Sequence, residues 1–239
     1  MALTDQAIEK IKDLIVAGEF APGSKLPKER ELAERLGLSR NSLREAVRAL
    51  TLIGVLEPRQ GDGTYVTSLE PDLLLAGTTF VSDLLTGGTV LELHEVRRIL
   101  EPAATAMAAT RLTEEDLDAL ARTLDRMDAA ETTQDFIDSD VEFHRIIVGA
   151  CGNATLASLI QNLSGGTLRA RIWRAINERG AVDSTRQLHH DIYRALVTRD
   201  PNLAAAADLI HLADGERWLR GLLDQESRAA DGAFGGTAP

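Results

Sequence analysis

Near the N-terminus, apolar residues recur at helical spacing in three successive stretches, and then the rhythm changes. Ile8, Ile11, Leu14 and Ile15 stand three and four apart and predict an opening helix over residues 4–17. Ala21-Pro22-Gly23 closes it in a turn. Leu32, Ala33 and Leu36 make a second, short stripe, and Gly37 follows as a residue free to adopt the left-handed conformation that ends a helix. Ser39 is placed to cap a third helix, whose stripe is Leu43, Ala46, Val47 and Leu50. Off that stripe lie Arg40, Asn41, Ser42 and Arg44, so the third helix would turn hydrogen-bonding groups outward. The apolar pair Val55-Leu56, a turn at Gly61-Asp62-Gly63 and a returning Tyr65-Val66 then predict a β-hairpin. Two helices about a tight turn, followed by such a hairpin, make a winged helix-turn-helix. Its outward residues suit a DNA major groove: arginine forks onto guanine, asparagine pairs with adenine, and hydroxyls and helix N-terminal amides take phosphates.

From Leu73 to about Leu223 the pattern is helical throughout, with turns at Arg111-Leu112-Thr113, Gly152-Asn153, Gly180 and Asp200-Pro201. Thr113-Glu114-Glu115-Asp116 reads as a capped, acid-rich helix start. Six or seven helices in an antiparallel bundle are expected. The fold class is therefore mainly α: a winged helix-turn-helix over residues 1–67 with its small hairpin, a linker at 68–72, an all-α bundle over 73–224, and a disordered tail at 225–239, where periodicity is lost.

A chain of 239 residues with 44% apolar content can pack a core in each of two modest domains. No apolar run approaches membrane-spanning length and the first residues carry no export signal, so a cytoplasmic protein without a membrane partner is expected. The lone Cys151 has no partner for an internal disulfide and reads as a small buried side chain. A net charge of -11 runs against nucleic-acid binding, but residues 1–68 hold ten Lys/Arg and ten Asp/Glu, which leaves the excess acidity on the second half. Lys25, Lys28, Arg30, Arg40, Arg44, Arg48 and Arg59 gather around the expected reading helix.

Over residues 5–68 the motif PG..LP.ER.LA..LG.SR...REA...L...G.L..RQG.GT.V resembles the GntR-type bacterial transcription regulators. Here it runs from Pro22-Gly23 through Glu29-Arg30, Ser39-Arg40, Arg44-Glu45-Ala46 and Arg59-Gln60-Gly61 to Gly63-Thr64 and Val66; Lys28 departs from it, where a small residue is usual. The resemblance implies that Arg30, Arg40, Asn41, Ser42 and Arg44, with Gly61 and Gly63 of the wing, meet double-stranded DNA.

In the second half, Asp140 and His144 stand four apart on one predicted helix and share a face, where they would either ligate one metal ion or hydrogen-bond to each other. The segments VLELHEVRRILEPAAT, D...FH and H..I..AL..RDP resemble the FCD effector domain of the FadR branch of these regulators. That resemblance implies a divalent metal (Zn²⁺, Ni²⁺ or Mn²⁺) on Asp140, His144, His189 and His211. It picks His189 over His190 by its spacing to Ile192 and Ala195, and leaves His94 a surface or packing residue. It also implies that Arg97 meets the carboxylate of a small organic acid; the alternative is a helix-surface ion pair with Glu101 or Glu95. Trp173, with Arg169 and Arg171 on the same long helix, is a further candidate for the effector pocket, though an aromatic and arginines at these spacings serve equally well in a helix–helix contact. No HExxH or comparable motif points to hydrolysis. The expectation is a homodimeric repressor that binds a short palindromic operator and is released by a sugar acid or hydroxy acid. The alternatives are a metal-dependent enzyme acting on a small carboxylate, and a metal-stapled regulator without an effector.

Overall fold

The computed structural model of the protein describes residues 3–84, 88–178 and 180–234. The chain divides into two compact units, Met1–Gly77 and Thr78–Pro239.

The first unit contains α1 (Leu3–Val16), α2 (Glu29–Leu36), α3 (Arg40–Leu52), β1 (Leu56–Arg59) and β2 (Gly63–Val66). Its core is the set of stripes that the spacing predicts. Ala7, Ile11, Leu32, Ala33, Leu43, Ala46 and Leu50 are buried together with Leu56 and Val66, and Ile8, Leu14, Ile15, Leu36 and Val47 pack partly buried against them. Gly37 ends α2 at φ 62°, donating its backbone N–H into the last turn. The Ser39 hydroxyl accepts the N–H of Ser42 and so satisfies one of the free donors at the start of α3. β1 and β2 pair antiparallel from Leu56↔Val66 to Arg59↔Gly63, and Lys25 adds a single bridge to Tyr65.

α4 (Pro71–Leu84) opens on a proline, whose missing N–H costs nothing in a first helical turn. The expected linker is correspondingly short, since residues 71 and 72 already belong to this helix. The bundle continues with α5 (Gly88–Ala109), α6 (Glu114–Asp128), α7 (Thr133–Gly149), α8 (Ala154–Asn177), α9 (Ala181–Val197) and α10 (Pro201–Phe234). The Thr113–Asp116 capping box forms at the start of α6. α5 packs along α10, α6 against α7 and α9, and α8 against α5 and α7. Leu117, Leu120, Leu124, Met127, Phe136, Phe143, Ile147, Ile192 and Leu196 fill the centre. One expectation fails here: residues 225–234 continue α10 instead of forming a disordered tail. Gln-Glu-Ser-Arg-Ala-Ala is rich in good helix formers, and extending an existing helix avoids the cost of nucleation. Residues 235–239 lie outside the described residues.

Candidate metal and effector site, and the DNA-reading surface

Asp140 and His144 sit on α7, His189 on α9 and His211 on α10, and one ligand-type atom of each lies within 4.8 Å of the others. The ring centroid of His211 is 5.0 Å from that of His144 and 4.7 Å from that of His189. His189 Nδ1 is 2.7 Å from the backbone oxygen of Thr185, one turn earlier on α9. A carbonyl can only accept, so Nδ1 carries the hydrogen and the Nε2 lone pair is left for the cluster. That nitrogen lies 3.0 Å from Asp140 Oδ1, two acceptors with no hydrogen between them, and His144 Nε2 is 3.8 Å from the same oxygen. The i,i+4 hydrogen bond that would explain Asp140 and His144 without a metal is therefore not formed. Nε2 of His144, Nε2 of His189 and Nδ1 of His211 are all buried and without a partner. Orphaned buried nitrogens are costly, and three of them converging with a carboxylate oxygen are a donor set that fits a divalent ion.

The electrostatics suit the same use. Burial alone would raise the pKa of Asp140; the Arg171 guanidinium, which donates through Nη1 to its Oδ2, more than reverses this and holds it well below the usual carboxylate range. Burial pushes His144 down to about 4, and burial with the neighbouring His189 lowers His211 well below its ordinary value. Both rings are thus neutral at neutral pH, which is the ligating form. His190 faces away from the cluster, with its Nε2 2.8 Å from Asp128 Oδ2 at the surface.

Arg97 on α5 is buried and largely committed. Its Nε and Nη2 donate to the two oxygens of Glu101 at 2.5 and 3.1 Å, and Nη1 donates to Thr167 Oγ1 at 2.7 Å. The pairing with Glu101 is one that the sequence left open, but it is an interior pair and not one on a helix surface. Arg171 has more donor capacity in hand, for its Nε is buried without a partner. The two arginines separate a cavity of about 50 Å³, whose wall includes His94, Asp140, Thr167, His211 and Trp218, from one of about 160 Å³ that reaches His144, Gln161 and Ser164.

Two sequence readings need correction. Trp173 is half exposed and packs at 5.8 Å on Trp218, and Trp218 is the indole that lines the cavity. Thr167, Ala170, Arg171 and Arg174 define the cavity face of α8, and position 173 is turned about 100° from position 174. His94 is not at the surface: it is 6% exposed and lines the cavity, with Nδ1 unpartnered. The sequence also gives no hint of Asp208, a buried carboxyl that accepts from Thr105 Oγ1 at 2.8 Å and is pushed up to about 7 by burial and by the charge of Glu101.

On the first unit, Arg30, Arg40, Asn41 and Arg44 are exposed, with Ser42 half-buried at the start of α3. Several cations of this face are paired: Arg44 with Glu29, Arg48 with Glu45, Arg59 with Glu57, and Lys25 with Asp62. Among the described residues Arg30 and Arg40 are exposed and have no ion-pair partner. Gly61, at φ 75°, turns the wing.

Residues 3–66 match the model of bacterial regulatory proteins of the gntR family, and residues 92–214 match the FCD domain. The chain is 31% identical over 218 residues to the HTH-type transcriptional regulator LutR of Bacillus subtilis, covering 89% of this chain and 99% of that protein. It is 30% identical over 215 residues to the Exu regulon transcriptional regulator of Escherichia coli, covering 88% and 81%. Among solved structures, Streptococcus agalactiae GntR superposes with a TM-score of 0.63 at 28% identity, covering 90% of this chain and 99% of that one. Relatives and domains together indicate a DNA-binding transcription regulator, so the alternative of a metal-dependent enzyme acting on a small carboxylate falls away. With a winged reading head and an FCD bundle matched in the order in which the fold presents them, the chain belongs to the GntR family of DNA-binding transcription regulators, in its FadR branch.

Proposed function

We propose that the protein is a cytoplasmic, homodimeric repressor that binds a short palindromic operator and is released from it by a small organic acid of the hydroxy-acid or sugar-acid class. Arg40, Asn41 and Arg44 read base edges. Ser42 and Arg30 take phosphates, and Gly61 and Gly63 let the wing backbone approach the DNA closely. One divalent ion, Zn²⁺, Ni²⁺ or Mn²⁺, is held by Asp140, His144, His189 and His211. The effector carboxylate is drawn toward it by Arg97 and Arg171, against the apolar wall of Trp218. The observation that carries this reading is the convergence of three buried, unpartnered imidazole nitrogens on Asp140 Oδ1, beside a cavity walled by Arg97, Arg171 and Arg174.

The regulation follows from linkage. An acid lowers operator affinity only if it binds more tightly to the form of the dimer whose reading heads are wrongly spaced. The test is a thermal-shift screen of organic acids on Zn²⁺-loaded and chelated protein, followed by operator titration. A true effector at about 100 times its Kd adds about 2.7 kcal/mol of stability. Arg40→Ala and Arg44→Ala should each weaken the operator complex by about 1–3 kcal/mol and relax preference at one base position. Full operator affinity in both variants would refute the reading-head assignment. Metal binding with no acid altering DNA affinity would leave a metal-stapled regulator without an effector.

A further inference from the structure

The cavity beside the metal-type cluster is rich in donors and poor in free acceptors. Arg97, Arg171 and Arg174 line it, and a guanidinium donates hydrogen bonds but never accepts them. Of the lining side chains able to accept, Asp140 is held by Arg171 and belongs to the cluster, as does His211. Thr167 accepts from Arg97 and donates its own hydrogen to the Ser164 carbonyl at 3.1 Å. Two remain: Thr185, half-buried on α9, and His94, one turn before Arg97 on α5. Only His94 is buried with a nitrogen, Nδ1, that lacks any partner. Its ring also lies against a glycine: a Cβ at Gly215 on α10 would come within 3.2 Å of His94 Nε2, so the absence of a side chain there leaves the imidazole its place in the wall. Burial and the charge of Arg97 hold His94 down to about 4, so the ring is neutral and offers one N–H and one lone pair.

Arg97 is taken up by Glu101 and Thr167 and Arg174 by Glu178 and Asp214, but Arg171 keeps an unpartnered N–H for a carboxylate, which can only accept; a hydroxyl needs both an acceptor for its hydrogen and a donor for its oxygen. We propose that His94 reads a hydroxyl group of the effector, and so makes this site select hydroxy acids over the corresponding plain carboxylic acids. The inference rests on the effector reading above and adds to it a residue and a selectivity.

The test is calorimetric titration of Zn²⁺-loaded full-length protein with matched acids that differ by one hydroxyl: lactate with propionate, malate with succinate, gluconate with 2-deoxygluconate. The parent should prefer the hydroxy member of the pair that fits by about ten-fold or more, the worth of one neutral hydrogen bond. His94→Leu should abolish that preference while still binding the deoxy acid, and His94→Gln, which keeps a donor and an acceptor, should restore part of it. A packing role alone would weaken both members equally and leave their ratio unchanged. Metal content and a cooperative melt establish that each variant is folded; should His94→Leu fail to fold, Gly215→Ala, which crowds the same ring, must lower the ratio instead. A parent that binds both members alike, or a preference lost in Thr185→Val and kept in His94→Leu, would overturn the assignment. If no acid in the panel binds the parent at all, the effector reading itself fails, and this inference with it.

Discussion

Adjacent histidines on α9 have opposite surroundings: His189 is fully buried beside Asp140, and His190 is partly exposed on Asp128. Removing a true ligand empties an incomplete shell, so His189→Ala should lose the metal and loosen the bundle, whereas His190→Ala should keep one ion per chain by elemental analysis. Metal lost from the second variant alone would put the donor on the wrong residue. The acid–base behaviour of the metal-free protein belongs to the same scale. His94 and His144 both stay neutral down to about 4 when folded but take up protons near 6.5 when unfolded. The unfolded state then binds more protons between these values, so stability should fall as pH drops from about 6.5 toward about 4. Asp208 works the other way. Its carboxyl keeps its proton up to about 7 in the fold, so its contribution is fully present below the ordinary value of 3.8 and is lost as pH rises through 7. Asp208→Asn should therefore steepen the acid loss and raise stability at pH 8, read by urea denaturation in chelator; an Asp208→Asn profile that stays flat from pH 6.5 to 5 would contradict the histidine assignment, and one identical to the parent's would contradict that of Asp208.

Among the elements, the seating of α4 depends on one position. Gly54 has φ 74°, and a Cβ built there would lie 2.5 Å from the backbone oxygen of Leu73 in the first turn of α4. Gly54→Ala combines a left-handed backbone with a collision against an atom that cannot turn aside. It should cost about 1–3 kcal/mol or more and displace the start of α4 from the winged helix. Melting of the variant at the parent temperature would show that this contact is not held in solution. The reading helix is more tolerant, since its outward side chains take no part in the core that Leu43, Ala46 and Leu50 build.

In the whole molecule, the proposed reading puts DNA contacts on arginines of one unit and a metal on histidines of the other, and the two chemistries respond to different conditions. Arginine stays charged at every pH in question, whereas metal ligands must be deprotonated. Chelation, or acidification toward pH 5, should therefore abolish release by the effector while leaving operator binding nearly intact, as followed by fluorescence anisotropy of labelled operator. Equal release from metal-free protein would reduce the ion to a structural staple and leave recognition to the cavity arginines and His94. If chelation instead destroys operator binding, the metal is needed for the dimer itself.

The sequence by itself determined the three stripes of the winged helix, the Gly37 and Ser39 caps, the hairpin and the helical character of the second half, because these depend on spacing along one element and on local backbone preference. It also held Asp140, His144, His189 and His211 as candidates, two of them visible through the i,i+4 rule and two only through family resemblance. What the tertiary structure decided is which faces meet. Arg97 is committed to Glu101 and Thr167, Arg171 keeps a free N–H, Trp218 takes the wall position expected of Trp173, and His94 turns inward. Each of these outcomes depends on the rotation of α5, α8 and α10 about their own axes as they pack, which no single helix encodes. Asp208 is the clearest case: its raised pKa arises from burial and from the charge of a carboxylate 107 positions earlier in the chain, both brought about only by the packing of α5 along α10.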